Sequence, residues 1–197
     1  NIVVNEPAAL AGTPAITDVT CNGANDGIIA LNGATGGSGT IQYSLNGGPL
    51  QLGNSFGGLA PGTYALTMED SNGCSLVFNG LIVTEPAVVT ASDSTVTASC
   101  VPGNDGEIWI LNASGGIPGY RYSLDGGPLQ LGNSFVGVSG GLHSVVVTDQ
   151  NGCTITLSIN VPIPGGITAT DSLVMVSCNA GNDGEIWLLP SGTNPPF

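Results

Sequence analysis

Residues 43–56 read YSLNGGPLQLGNSF and residues 122–135 read YSLDGGPLQLGNSF, a single change, Asn46 against Asp125, after a step of 79. A stretch this irregular, returning at a fixed spacing, marks an internal repeat, and the repeat decides the architecture. The same step carries Cys21 to Cys100, Cys74 to Cys153, Asn25-Asp26-Gly27 to Asn104-Asp105-Gly106, and Glu6-Pro7 to Glu85-Pro86. A third copy opens after Pro164, where GNDGEIWLL restates GNDGEIWIL and Cys178 follows Cys100 by 78. NIVVNEP at the start resembles GLIVTEP near Gly80. The expected organisation is therefore the last strand of a preceding repeat at 1–7, whole repeats at 8–86 and 87–164, and the start of a third at 165–197. The chain reads as a window on an array, cut inside a repeat at both ends.

A unit of about 79 residues is a small domain rather than a solenoid turn, and its core is modest. The five cysteines are expected to supplement it. Cys21 to Cys74 and Cys100 to Cys153 both span 53 positions, so the economical pairing is Cys21–Cys74 and Cys100–Cys153, with the partner of Cys178 outside the chain. Disulfides persist in oxidising compartments, which points to an extracellular location. Structural zinc is the competing reading and lacks ligands, since there is one His and no CxxC pair.

Charge narrows the function further. One Arg, no Lys and fourteen Asp and Glu give a net charge of −13, with the acids spread thinly. Nucleic acid is excluded as a partner because phosphate recognition needs Lys and Arg, and anionic membrane surfaces are disfavoured for the same reason. Without Lys there is no P-loop, Schiff-base or Lys-derived isopeptide chemistry. No run of 18 apolar residues and no signal peptide is present, so no membrane insertion is expected in this segment.

Thirty-two glycines and thirteen prolines, with no sustained helical period, leave an all-β reading. Short β-branched and aromatic runs between turn signals predict tandem β-sandwiches. In the second repeat they predict strands at 87–92, 95–99, 107–112, 120–124, 142–148 and 154–161. The two Asn-Gly pairs, Asn72-Gly73 and Asn151-Gly152, sit between alternating arms and predict hairpins. The opening stretch reads as a strand, a Gly-Gly-Pro turn, a short strand and a second glycine turn, chemistry that fixes register.

Several spaced motifs resemble the SprB-type repeat of large secreted surface adhesins of gliding Bacteroidota-like bacteria. They are Cys-x-Gly-x-Asn-Asp-Gly (Cys21 to Gly27), Gly36-Gly37, Tyr43-Ser44, Gly62-Thr63-Tyr64, Asp70-x-Asn-Gly-Cys74 and Glu85-Pro86. The second repeat is similar through Cys100, Asn104-Asp105-Gly106, Gly115-Gly116, Tyr122-Ser123 and Asp149 to Cys153. That resemblance implies Ig-like sandwiches exported to the cell surface and strung into a long fibre.

Individual residues offer competing readings. Asp26, Asp105 and Asp183 of the three Asn-Asp-Gly motifs could join Asp70 or Asp149 around Ca2+, which wants six or more oxygens. The favoured reading is a tight turn, with Asp capping amides and Gly at positive φ, and no cofactor. His143, the only imidazole, replaces Tyr64 of the first repeat and reads as a strand residue of aromatic size, so no enzyme is expected. Trp109 and Trp187 lie in strands apolar on both faces. They either face outward, to contact a glycan or a partner, or pack under a loop or against a disulfide, which is favoured. Ser94 and Ser172 are candidates for O-glycosylation, and a glycan there would shield an edge strand. Asn112-Ala113-Ser114 is a formal sequon.

The expected function is a structural or adhesive extracellular fibre of disulfide-stapled repeats, its partners being neighbouring copies of itself. The alternative is a carbohydrate-binding surface module using Trp109 and Trp187.

Overall fold

The computed structural model describes residues 6–99, 103–166, 168–177 and 179–191. Fourteen strands run in chain order: β1 Ala11–Thr17, β2 Gly27–Thr35, β3 Gln42–Leu45, β4 Ser55–Leu59, β5 Gly62–Glu69, β6 Ser75–Val83, β7 Thr90–Val96, β8 Gly106–Ser114, β9 Arg121–Leu124, β10 Ser134–Val138, β11 Gly141–Thr148, β12 Thr154–Val161, β13 Thr168–Val174 and β14 Glu185–Ser191. No helix occurs among the described residues. From β1 to β6 and from β7 to β12 each strand starts 79 residues after its counterpart, so the sequence period is also a period of structure.

Residues cluster into two compact units. One holds the described residues up to Val89 together with Ser114–Gly119 and Thr148–Thr154; the other holds Thr90–Ala113, Tyr120–Val147 and the described residues from Ile155 on. In the first unit, two three-stranded antiparallel sheets, β1-β2-β4 and β3-β5-β6, face one another. Alternation puts Ile29 and Leu31 of β2 inward, where they meet Tyr43 of β3, Leu66 and Met68 of β5, Val83 of β6 and Val19. The second unit orders its strands β10-β8-β7 and β12-β11-β9, with Ile108, Ile110, Tyr122, Val145, Val147 and Val161 buried at the matching positions. The pair β13-β14 is antiparallel, with every residue of both strands exposed.

The repeated fourteen-residue stretch crosses from one sheet to the other. After β3 the chain turns through Asn46 and Gly47, both at positive φ, closed by Gly48 N–H to Leu45 O at 3.0 Å. Tyr43 and Gln51 exchange backbone bonds of 2.8 Å, the Gln51 amide donates to the carbonyls of Gly53 and Ser55, and Asn54 donates to Leu31 O at 2.7 Å. Gln130 and Asn133 repeat all of this. A side-chain-stitched crossover tolerates little change, which explains its near-verbatim return.

Two strand expectations needed correction. The segments read at 87–92 and 95–99 are one strand, β7, and β10 was missed. Gly137 of β10 sits at φ 72, at a register shift between Val136 and Val138, and so disguises a strand as a turn.

Candidate functional site

The chemistry is concentrated where Thr20–Gly23 meets the Asp149–Cys153 turn, all inside the first compact unit. Cys21 is bonded to Cys153, with Cα atoms 5.6 Å apart and a sequence separation of 132. This overturns the expected Cys21–Cys74 and Cys100–Cys153 pairs, and Cys74 is an exposed free thiol. Cys100 and Cys178 lie outside the described residues.

The reason is geometric. Cys74 immediately precedes β6, and Cys21 lies beyond its far end, where Gly23 N–H donates to Glu85 Oε2 at 2.8 Å. Nine extended residues span about 30 Å, whereas a disulfide tolerates roughly 7 Å between Cα atoms. A repeat's own two cysteines therefore sit at opposite ends of its sandwich and cannot pair.

Hydrogen bonds frame the bridge. Asn22 Nδ2 donates to Pro86 O at 3.0 Å and Asn151 Nδ2 to Thr20 O at 3.4 Å. Beneath it, buried Asp149 accepts the amides of Ile117 and Cys153, each at 2.8 Å, and the Asp149 amide returns to Cys153 O. Gly116 donates to Ala87 O at 2.7 Å. Asp70 does the same work at the Cys74 turn, accepting from Ser38, Asn72 and Cys74. The Ser38 amide, helped by those of Cys74 and Asn72, holds the Asp70 carboxyl below the usual carboxylate range against its desolvation.

The Asn-Asp-Gly acids are caps. Asp26 accepts from the Thr20 amide and hydroxyl, Asp105 from the Ser99 amide at 2.7 Å, and Asp183 from the Ser177 amide at 2.9 Å. These bonds hold all three carboxyls below the ordinary range. Asp26 and Asp70 belong to opposite ends of β6, so the calcium set combining them does not form, and no metal-binding group of acids, His or Cys occurs among the described residues. The glycine of the motif is not at positive φ as expected. Gly27 opens β2, where a Cβ would lie 2.7 Å from Val83 Cγ1 and 2.9 Å from Leu59 O.

His143 is paired with a carboxylate. Its Nδ1 lies 2.8 Å from Asp125 Oδ2 and its Nε2 lies 2.9 Å from the Ser139 carbonyl, with Ser139 Oγ at 3.4 Å. Although the trio is Ser-His-Asp in composition, both ring nitrogens face acceptors and must donate. The imidazolium is thereby favoured and its pKa raised, chiefly by Asp125, and Nε2 is directed at the Ser139 carbonyl more closely than at its hydroxyl.

Trp109 does not pack under a loop or against the disulfide; it points out of the sheet, 40% exposed, its indole N–H bonded to Glu107 at 2.9 Å. Trp187 repeats this with Glu185 at 3.0 Å and is 57% exposed. Ser94 on β7 and Ser172 on β13 are exposed, and Ser172 lies across from Trp187. No described helix is long and apolar enough to cross a membrane.

The part played by Asn22, Glu85, Pro86 and Asn151 was missed from sequence. The signal available was the return of Glu-Pro and of Asn-Gly-Cys at both steps. No curated protein matches the chain. The SprB repeat family matches it at residues 13–50 and again at 92–129, starts that differ by 79 (92 − 13). Each match contains a repeat's first cysteine and stops short of its second. The period, the duplicated strand order and these two matches agree: the SprB repeat matches the chain twice, once in each period.

Proposed function

We propose that this chain is a stretch of an extracellular fibre or adhesin stalk, with repeats bounded near 8–86 and 87–164 acting in series through length and stiffness. SprB repeats occur in surface-exposed proteins, which supports placing it at a cell surface. The observation carrying the reading is the Cys21–Cys153 bond, which ties a first-repeat cysteine to a second-repeat one. A covalent tie between repeats resists pulling and proteolysis, and it does nothing for catalysis. Neighbouring copies are the natural partners, O-glycans on Ser94 and Ser172 would coat exposed strands, and no cofactor is required.

Electron microscopy of recombinant arrays of two, four and eight repeats tests this. Particle length is expected to rise by one fixed increment per added repeat. Arrays that stay the same length, or collapse to globules, overturn it.

The outward indoles favour a second reading, carbohydrate binding, because an exposed Trp face stacks on sugar rings. In that case Trp109→Ala abolishes retention on a glycan matrix while the melting temperature holds. Unchanged retention, or no retention by the parent chain, removes it.

A further inference from the structure

The acceptor half of the cysteine junction is present a second time, around Cys74. Glu85, Pro86, Asn151 and Cys153, the residues that meet Thr20–Gly23, have identical counterparts 79 positions earlier in Glu6, Pro7, Asn72 and Cys74. The supporting backbone is duplicated as well. Gly37 donates to Ala8 O at 2.8 Å, Ser38 to Asp70 Oδ2 at 2.8 Å, Cys74 to Asp70 Oδ1 at 2.9 Å, and the Asp70 amide to Cys74 O at 2.9 Å. Burial distinguishes the two sites. Cys153 and Val89 are 8% and 4% exposed beneath the docked loop, while Cys74 is exposed and its neighbour Leu10 half-buried. A recess of about 380 Å³ lies there, lined in part by Glu6, Pro7, Leu10, Asp70 and Cys74.

We infer that the surface around Cys74 is a docking site for the first-cysteine loop of another copy of this repeat, sealed by a disulfide to Cys74. The incoming Cys Sγ bonds Cys74 Sγ, its following Asn donates to Pro7 O, and the next amide donates to Glu6, as Cys21, Asn22 and Gly23 do at Cys153. Two thiols become one disulfide, and the two electrons and two protons pass to a small-molecule disulfide, which leaves as two thiols. Each repeat would then be bonded to the next by the same junction. This rests on the array reading above but is tested apart from it, since particle length can grow with repeat number whether or not Cys74 is docked.

The test uses the whole chain with Cys21–Cys153 closed and a synthetic peptide of residues 18–27, DVTCNGANDG. Both are equilibrated in a reduced and oxidised glutathione buffer and mapped by mass spectrometry, with a scrambled peptide of the same composition as reference. The expected result is a peptide-to-glutathione ratio at Cys74 about tenfold higher for this peptide than for the scrambled one, the worth of one or two added hydrogen bonds. Asn22→Ala in the peptide, or Glu6→Gln in the chain, lowers that preference about threefold. Glu6 is exposed, so its replacement leaves folding intact. A ratio equal for the two peptides, or a preference untouched by both substitutions, overturns the proposal.

Discussion

Position 143 holds a histidine where the first repeat has Tyr64, and two neighbours differ with it: Asp125 replaces Asn46 and Ser139 replaces Ala60. The architecture is unchanged. Tyr64 Oη donates to Ala60 O at 2.8 Å as His143 Nε2 does to Ser139 O at 2.9 Å. Asn46 accepts the Ala65 amide as Asp125 accepts that of Ser144, each at 2.8 Å. What the second repeat adds is a charge pair. The Ser144 amide, then His143, lowers the Asp125 pKa, while Asp125 raises that of His143. A raised folded-state histidine pKa gives stability that is complete below the unfolded value near 6.5 and fades as pH climbs through the folded value. The lowered aspartate pKa gives stability that fades as pH falls through it. The pair therefore contributes most in mildly acidic solution, and with the Asp125 side chain half exposed to water it contributes about 1 kcal/mol or less. Urea unfolding at pH 5.5 and 8.5 is expected to show the chain losing about that much at the higher pH, relative to a variant carrying Asp125→Asn, Ser139→Ala and His143→Tyr. Parallel curves for the two proteins contradict it.

Strand ends depend on glycines that do different work. Gly36, at φ 82 where β2 gives way to a turn, has the Ala9 carbonyl where its Cβ would stand, while Gly73, at φ 83 in the β5–β6 hairpin, has nothing within 4 Å. Gly73→Ala is expected to cost the left-handed penalty alone, about 1–2 kcal/mol. Gly36→Ala must also push the Ala8–Ala9 backbone away and break the Gly37-to-Ala8 bond, adding about 2 kcal/mol. Urea midpoints of the two variants, compared with the disulfide intact, decide whether the close approach matters; equal midpoints mean that it does not. Such elements were partly legible in advance. Alternation placed β8 and β11 within two residues of where they lie, and Asn-Gly marked the hairpin tips, because both signals are local. β4 and β10 escaped because Gly58 and Gly137, both at φ 72, interrupt their alternation. The direction of Trp109 escaped because both faces of GEIWIL are apolar, and Glu107 holding the indole N–H is a detail that periodicity does not carry. Cysteine spacing gave the period faithfully but not which end of a sandwich each cysteine occupies, and pairing depends on ends.

For the molecule as a whole, the Cys21–Cys153 bond closes a loop of 132 residues, so its removal frees more of the unfolded chain than an in-repeat bridge of 53 would. Loop-closure entropy assigns such a bond on the order of 5 kcal/mol, an upper value because a denatured chain retains some compactness. The segments it holds are themselves slight: Thr20–Gly23 contacts the turn through few bonds, and Asn22 and Asn151 are exposed. Without the bridge those segments open before the sandwich cores, where Ile29, Leu31, Leu66 and Met68 are wholly buried. Cys153→Ser is therefore expected to speed amide exchange at Thr20–Gly23, Ser114–Gly119 and Thr148–Thr154 by tenfold or more (about 1.4 kcal/mol of local stability per tenfold), while exchange at Leu66 and Met68 stays slow. Reductant should reproduce the effect in the parent chain and add nothing to it in the variant. Uniformly faster exchange throughout both cores means that the bond stabilises folding as a whole rather than the junction. Unchanged exchange means that the hydrogen bonds around Pro86 and Glu85 hold the junction without it.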